Sequence, residues 1–254
     1  MERILCGIIA DVLSDGGLCY SKKGRNYRTY FASKDFDAVI RFREEMLRLF
    51  KKEAHITRRH KNGVYEATIY SKQIFDYLKK LGLPVGRKAD AEYSLPNIIK
   101  RANTQAKAEF LRRFFDAEAS VRDRGHKWEI SISQVKREDL IDSGVKFMLE
   151  IKQLLKEFEV NAGQVWIGNK DKTRVDGSKT RRIGLSICNI HSIKNYSEKI
   201  GFYNKRKKRI LQKISQKEFP ETALTEKINR EGQTILVARD SKGRFIRVFK
   251  APLG

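Results

Sequence analysis

The sequence predicts an α+β fold in which one structural unit is used twice, on three observations. Apolar residues alternate between a period near 3.6 and a period of 2, in the order helix, hairpin, helix, hairpin, helix. That αββαββα order restarts after an aperiodic stretch near residue 83. In each copy the first helix ends in an acid directly before a hairpin, Asp15 and Glu118, 103 residues apart.

The first copy opens on LCGIIADVLSDGGL, an apolar run interrupted by Asp11. Cys6, Ala10 and Ser14 recur every four residues and lay a row of small side chains along one helix face, where another backbone can approach. Gly16 and Gly17 then let the chain leave in conformations that other residues resist. Strands are expected at 17–22 and 27–33 around the Lys23-Gly24-Arg25-Asn26 turn. Phe36, Val39, Ile40, Phe42, Met46, Leu47 and Phe50 mark an amphipathic helix. Two more strands, 54–59 and 64–70, flank Lys61-Asn62-Gly63, and a helix over 72–81 stops at Gly82.

The stretch 84–103 holds Pro84 and Pro96 and reads as a linker between a first half, 1–83, and a second, 104–203. The second half repeats the order: a helix over 104–117, strands at 119–124 and 127–133 around Gly125, and a long helix over 137–159. Strands at 162–170 and 180–188 and a helix over 191–200 complete it. Residues 204–254 form a basic C-terminal extension. A helix over 204–216 carries Lys205-Arg206-Lys207-Lys208-Arg209, Pro220 breaks the chain, and 234–250 alternates as a hairpin about Ser241-Lys242-Gly243-Arg244.

Composition narrows the partners. Fifty-four Lys and Arg against 31 Asp and Glu leave a net charge of +23, a field that draws polyanions, nucleic acid first among them. A merely solvated surface or an anionic membrane surface is the competing reading. Cys6, Cys19 and Cys188 lie far apart without a CxxC pair, and His55, His60, His126 and His191 are scattered, so neither a disulfide framework nor a zinc site is indicated. Asp11 interrupts the opening apolar run, so a signal peptide is not expected, and no run approaches the twenty apolar residues of a membrane span. The expected location is intracellular, cytoplasmic or nucleoid-associated, with an organelle as an alternative.

Ile8 to Gly17, IIADVLSDGG, and Phe110 to Val121, FLRRFFDAEASV, resemble the two copies of the LAGLIDADG motif of homing endonucleases, the second being close to that family's FLRGFFDAEGS form. The resemblance covers most of the chain. It implies a monomer of two pseudo-symmetric halves whose motif helices pack side by side and deliver Asp15 and Glu118 to the centre. The two acids would share two or more divalent ions, Mg2+ by the family pattern. The implied reaction is a double-strand break with short 3′ overhangs in a long asymmetric site on double-stranded DNA. By position, Lys34 beside Ser33, Gln134 and Lys136 are candidates for the residues that organise water and stabilise the leaving group. An intron-encoded or freestanding enzyme is expected. An intein is not, since the chain begins with Met and lacks a terminal His-Asn. The competing reading is a noncatalytic binder of the same fold, either a maturase acting on intron RNA or a decayed endonuclease.

The sequence departs from the family in the motif helices. Arg113 stands where close helix contact calls for glycine, Ala119 replaces the glycine after the acid, and Asp11 replaces an apolar residue. An unpaired buried charge is very costly, so Asp11 and Arg113 are expected either to pair or both to turn outward.

The hairpins of each half would form a four-stranded antiparallel saddle with one face on the helices and the other in the major groove. By alternation Tyr65, Ala67 and Ile69 are core and Glu66, Thr68 and Tyr70 face DNA. Trp128, Ile130 and Ile132 are core, with Lys127, Glu129, Ser131 and Ser133 outward. Ile183, Leu185 and Ile187 are core, with Arg182, Gly184 and Ser186 outward. The same parity turns Arg28, Tyr30, Thr57, Arg59, Gln164 and Trp166 toward DNA. A register slip of one residue would exchange the faces. The basic turns Lys22-Lys23-Gly24-Arg25 and Arg58-Arg59-His60-Lys61 suit phosphates, as does the loop 170–182. Its GSKT lacks the glycine that a nucleotide-binding loop needs before its lysine.

Overall fold

A computed structural model of the chain describes residues 1–59, 63–124, 128–169 and 172–216, and the strands Ala223–Ile228, Thr234–Arg239 and Phe245–Lys250. Residues 1–215 form one compact unit and 216–254 a second.

In the larger unit the first half runs α1 (Glu2–Leu13), β1 (Gly17–Ser21), β2 (Asn26–Ser33), α2 (Phe36–Phe50), β3 (His55–Arg59), β4 (Val64–Tyr70) and α3 (Lys72–Lys80). Its strands make an antiparallel sheet in the order β1-β2-β4-β3. The helix starts follow local chemistry: the Asp35 carboxylate accepts from the Asp37 amide, and Ser71 caps α3 through the Ile74 amide. Gly82, at φ +98°, ends that helix turn in a conformation suited to glycine. On α2, Val39, Phe42 and Met46 are buried, whereas Phe36 and Leu47, read from spacing as apolar-face residues, are exposed.

The connection holds a 3-10 turn at Lys88–Asp90 and the short α4 (Asn97–Arg101). The second half then runs α5 (Thr104–Glu118), β5 (Ser120–Asp123), β6 (Trp128–Arg137), α6 (Ile141–Lys156), β7 (Trp166–Ile167), β8 (Lys172–Thr173), β9 (Lys179–Ile187) and α7 (Ile190–Lys199), followed by α8 (Lys205–Ser215). Two expectations are corrected here. The second sheet has five strands, not four: β5-β6-β9-β7 in order, with β8 also on β9. The segment after α6 meets β9 only in short stretches, at Trp166–Ile167 and Lys172–Thr173. The helix expected from residue 137 starts at Ile141, because β6 stays paired with β9 as far as Arg137↔Thr180.

The two motif helices, α1 and α5, lie against each other in the middle of one continuous core. Ile8, Ile9 and Leu13 from α1 and Phe110, Phe114 and Phe115 from α5 are buried there, with Phe110 and Phe114 stacked at 5.8 Å. Fully burying each such side chain is worth about 1.5–3 kcal/mol, so the shared seam fixes where both helices end. Among the described residues no helix is long and apolar enough to cross a membrane. The smaller unit is a three-stranded antiparallel sheet, β10 (Ala223–Ile228), β11 (Thr234–Arg239) and β12 (Phe245–Lys250), in that order.

Candidate active site and nucleic-acid interface

Asp15 follows the end of α1 and Glu118 is the last residue of α5, so the packed helices bring the two carboxylates into each other's field. Asp15 is open to solvent yet bordered by dense protein, and burial pushes its pKa up, with Lys88 and Lys207 pulling it back. Burial and the Asp15 charge push Glu118 up, again opposed by Lys88 and Lys207. Gly16 and Gly17 are not in the left-handed region; what they supply is space. A Cβ on Gly16 would fall 2.4 Å from the Tyr30 carbonyl oxygen and 2.7 Å from that of Asp11, and one on Gly17 would fall 3.0 Å from the Tyr30 hydroxyl.

Two lysines that the sequence reading did not place in the site complete it. The Lys88 amine, from the connection between the halves, donates to the Ser14 carbonyl at the end of α1. The Lys207 amine, from α8, donates to the carbonyls of Asp116 at 2.5 Å and Phe115 at 3.3 Å in the last turn of α5. Burial lowers the pKa of both lysines; Glu118 and Asp15 hold Lys88 up, and Asp116, ahead of Asp15 and Glu118, holds Lys207 up. No cluster of three or more His, Cys, Asp or Glu suited to a metal occurs among the described residues. Two carboxylates fit a hard divalent ion that takes its remaining oxygens from phosphate and water, as Mg2+ commonly does.

The three other candidates are placed as follows. Lys136 is wholly buried, on the core parity of β6, and its amine donates to the carbonyls of Ala91 at 2.6 Å and Lys88 at 2.9 Å while lying 3.9 Å from the centre of the Tyr93 ring. It anchors the turn that carries Lys88. The Gln134 side-chain oxygen accepts from the Tyr93 hydroxyl at 3.0 Å. Lys34 is exposed at the bend between β2 and α2.

Between the motif helices, the Arg113 guanidinium donates to Asp11 at 3.0 Å, Glu45 at 2.6 Å and Glu109 at 2.7 Å, with Asp11 and Arg113 both about 2% exposed. The two departures from the family pattern thus pair directly. Burial lifts the Asp11 carboxyl to about 6 against the pull of Arg113, whereas Arg113, Tyr203 and Arg3 outweigh burial at Glu109 and hold it below its ordinary range. Gly7 makes room for this arginine, since a Cβ there would fall 2.5 Å from the Arg113 Cζ.

The sheet registers put Arg28, Tyr30, Glu66, Thr68, Tyr70, Thr57 and Arg59 on the face opposite Phe31, Ala67 and Ile56. Glu66 and Thr68 are nevertheless buried. Arg28 and Arg59 both close over the Glu66 carboxylate, Thr68 donates to it at 3.1 Å, and the Arg28 guanidinium stacks 4.3 Å from the Tyr30 ring centre. In the second sheet Glu129, Ser131, Ser133, Arg182, Ser186 and Trp166 share the face opposite Ile130, Ile132 and Leu185. Ser186 donates to Glu129 at 2.8 Å, and Trp166 packs on Gly184, where a Cβ would fall 2.2 Å from its ring. Gln164 is exposed just before β7. Lys127 and the turn residues His60, Lys61 and Gly125 lie outside the described residues.

Comparison with known proteins finds several similarities. The chain is 30% identical over 146 residues to the tRNA-splicing ligase RtcB of Methanopyrus kandleri, which is 56% of this chain and 14% of that protein. It is 25% identical over 245 residues to the replication factor C small subunit of Methanocaldococcus jannaschii, 88% of this chain and 13% of that one. The chain thus spans less than a quarter of the length of the curated relatives it matches. A solved structure of mesophilic variants of the homing endonuclease I-DmoI superposes with a TM-score of 0.49 at 17% identity, over 78% of this chain and 90% of that one. Residues 105–201 match the LAGLIDADG-like domain family. The matched segment runs from α5 through α7, supplies Glu118 and the five-stranded sheet, and is similar to that domain.

Proposed function

We propose that the chain is a monomeric, intron-encoded or freestanding DNA endonuclease that makes a site-specific, metal-dependent double-strand break with short 3′ overhangs. The observation that carries this reading is the meeting of Asp15 and Glu118 at the ends of two packed motif helices, each followed directly by a sheet whose outer face carries arginines and hydroxyls. The relatives support a module separable from its surroundings: a ligase and a replication factor, unlike in name, both match this chain over a small part of their own length.

Asp15 and Glu118 would hold divalent ions, and such ions, when bound, polarise a phosphate oxygen and lower the pKa of an attacking water. The chain does the rest. The two sheets present Arg28, Arg59, Arg182 and Trp166 to duplex backbone and bases, and fix the register of the phosphodiester in each strand against one acid. The surplus of positive charge draws DNA from a distance.

The test is incubation with Mg2+ and a plasmid bearing the intronless insertion site of the chain's own gene. Linearisation that is lost in Asp15→Asn and in Glu118→Gln is expected. Sequence-specific binding without a nick in either strand would refute the nuclease and leave a binder.

A further inference from the structure

We propose that Trp166 and Val135 form an apolar reader on the outer face of the second sheet, and that it selects thymine in duplex DNA through the C5-methyl group in the major groove; this rests on the sheets being a duplex-binding surface, as proposed above.

The registers put the two residues side by side. Val135 pairs with Arg182, Ser133 with Gly184, and Gly184 in turn with Trp166, so Val135 and Trp166 flank β9 from opposite sides, offset by two residues on one face. Around them that face is polar, with Ser131, Ser133, Arg182 and Ser186. Both apolar side chains are exposed.

The strand between them is shaped for the indole. A Cβ on Gly184 would fall 2.2 Å from the Trp166 Cζ2, 2.6 Å from its Cε2 and 2.8 Å from the Ile132 carbonyl oxygen. Glycine inside a strand weakens it, and here it leaves room for the ring to lie across β9 toward β6. Gly184 is buried beneath that ring, although it stands on the outer face. The segment that carries Trp166 is fixed on both sides: the Gly163 amide donates to the Ser186 carbonyl at 2.8 Å and the Gly168 amide to the Arg182 carbonyl at 2.7 Å. The ring is thus in place before any ligand arrives, which lowers the ordering cost of binding. A single exposed apolar side chain needs no explanation. Two on one polar face, one of them seated on a glycine that the strand itself does not need, make a built surface.

In the major groove the base edges present donors, acceptors and one apolar group, the thymine C5-methyl. A methyl taken out of water against Val135 and Trp166 is worth about fourfold in affinity. The serines and Arg182 beside it remain for polar edges and phosphates.

The experiment enriches tight binders of the full chain, in EDTA, from a randomised duplex pool. The enriched duplex is remade with deoxyuridine, which lacks only the methyl, at one thymine at a time, and affinity is read by fluorescence anisotropy. One to three neighbouring thymines are expected to lose about fourfold each. Val135→Ser and Trp166→Ala should each bind thymine and deoxyuridine duplexes within about twofold at those positions, with melting temperature confirming that the variants fold. Leu149→Ser, which changes an exposed apolar residue on α6, should keep the parent's discrimination. Equal affinity of the parent for both bases at every position, or discrimination kept in both sheet variants, would overturn the reader. Failure of the duplex-binding reading has a different signature: no duplex is enriched at all, whatever a parallel single-stranded pool yields, and thymine selection falls with it.

Discussion

Arg113 on α5 and Asp11 on α1 form a buried ion pair at 3.0 Å that ties the two motif helices together midway along their contact. Glu45 and Glu109 share the same guanidinium, so its loss would leave three carboxylates in the core without their common partner. Arg113→Met is therefore expected to destabilise the chain by about 3–5 kcal/mol in urea unfolding at neutral pH, the range for breaking a buried pair from one side. A change under about 1 kcal/mol would mean that water reaches these carboxylates.

The acid pair itself works against stability. Asp15 and Glu118 both titrate above the ordinary carboxylate range because of burial, so the native state binds protons that the unfolded chain has released. In metal-free buffer their contribution should grow as pH falls from neutral toward the ordinary range near 4, and level off below it. Glu118→Gln should accordingly melt about 2–4 °C above the parent at pH 8, with the gap closing by pH 5 in scanning calorimetry. A parent that outlasts the variant at pH 8 would reverse the sign of this argument.

The sequence and the structure agree where apolar spacing alone decides an element. The strand over 64–70 has its expected bounds, since Tyr65, Ala67 and Ile69 alternate without interruption, and α5 extends the expected helix by a single residue to Glu118. The acids were legible because the helices carrying them have a recognisable pattern. Lys88 was not, because its turn lies in a stretch with no period, and Lys207 was one of five consecutive basic residues. A signal for Lys207 did exist: it falls one turn before Leu211 and two before Ile214, on the only apolar face of α8. Lys136 could likewise have been read from parity, since it continues the inward row of Ile130 and Ile132. Its charge argued for a site role, and the two carbonyls and the Tyr93 ring across the fold explain its burial.

Lys136→Met tests that anchoring role. The variant leaves the Lys88 and Ala91 carbonyls without their donor, an expected loss of about 2 kcal/mol or more. Arginine should not rescue it, because packing is already tight: a Cβ on Gly144 would fall 2.8 Å from the Lys136 Cγ. Chemical denaturation of the two variants reads the effect, and full stability in Lys136→Arg would contradict the packing argument.

Glu66 constrains the outer face of the first sheet by holding both Arg28 and Arg59. Glu66→Gln removes one negative charge and frees both guanidinium groups for phosphates. Binding to arbitrary duplex should tighten, and the plot of log affinity against log salt should steepen by about one to two phosphate contacts. Discrimination among sequences should fall at the same time, because fixed arginines read base edges better than mobile ones. Fluorescence anisotropy across a KCl series measures all three; an unchanged salt slope would show that Glu66 does not withhold these arginines from phosphates.

Gly16 sets the exit from α1, and with it the position of Asp15. Its amide donates to the Asp11 carbonyl at 2.9 Å, and a Cβ there would meet backbone on two sides, the Tyr30 and Asp11 carbonyls. Side chains can turn aside from such a clash, but β2 and α1 are paired and packed and cannot. Gly16→Ala is therefore expected to cost about 1–3 kcal/mol through overpacking. It should also push the β1 end away from the helix and move Asp15 relative to Glu118. Both effects are separable: melting reports the first, and Mn2+ uptake through the acid pair reports the second. Gly17→Ala is the milder comparison, since its Cβ would meet only the movable Tyr30 ring, at 3.0 to 3.2 Å. Equal effects in the two variants would place the constraint in glycine's flexibility rather than in the space it leaves.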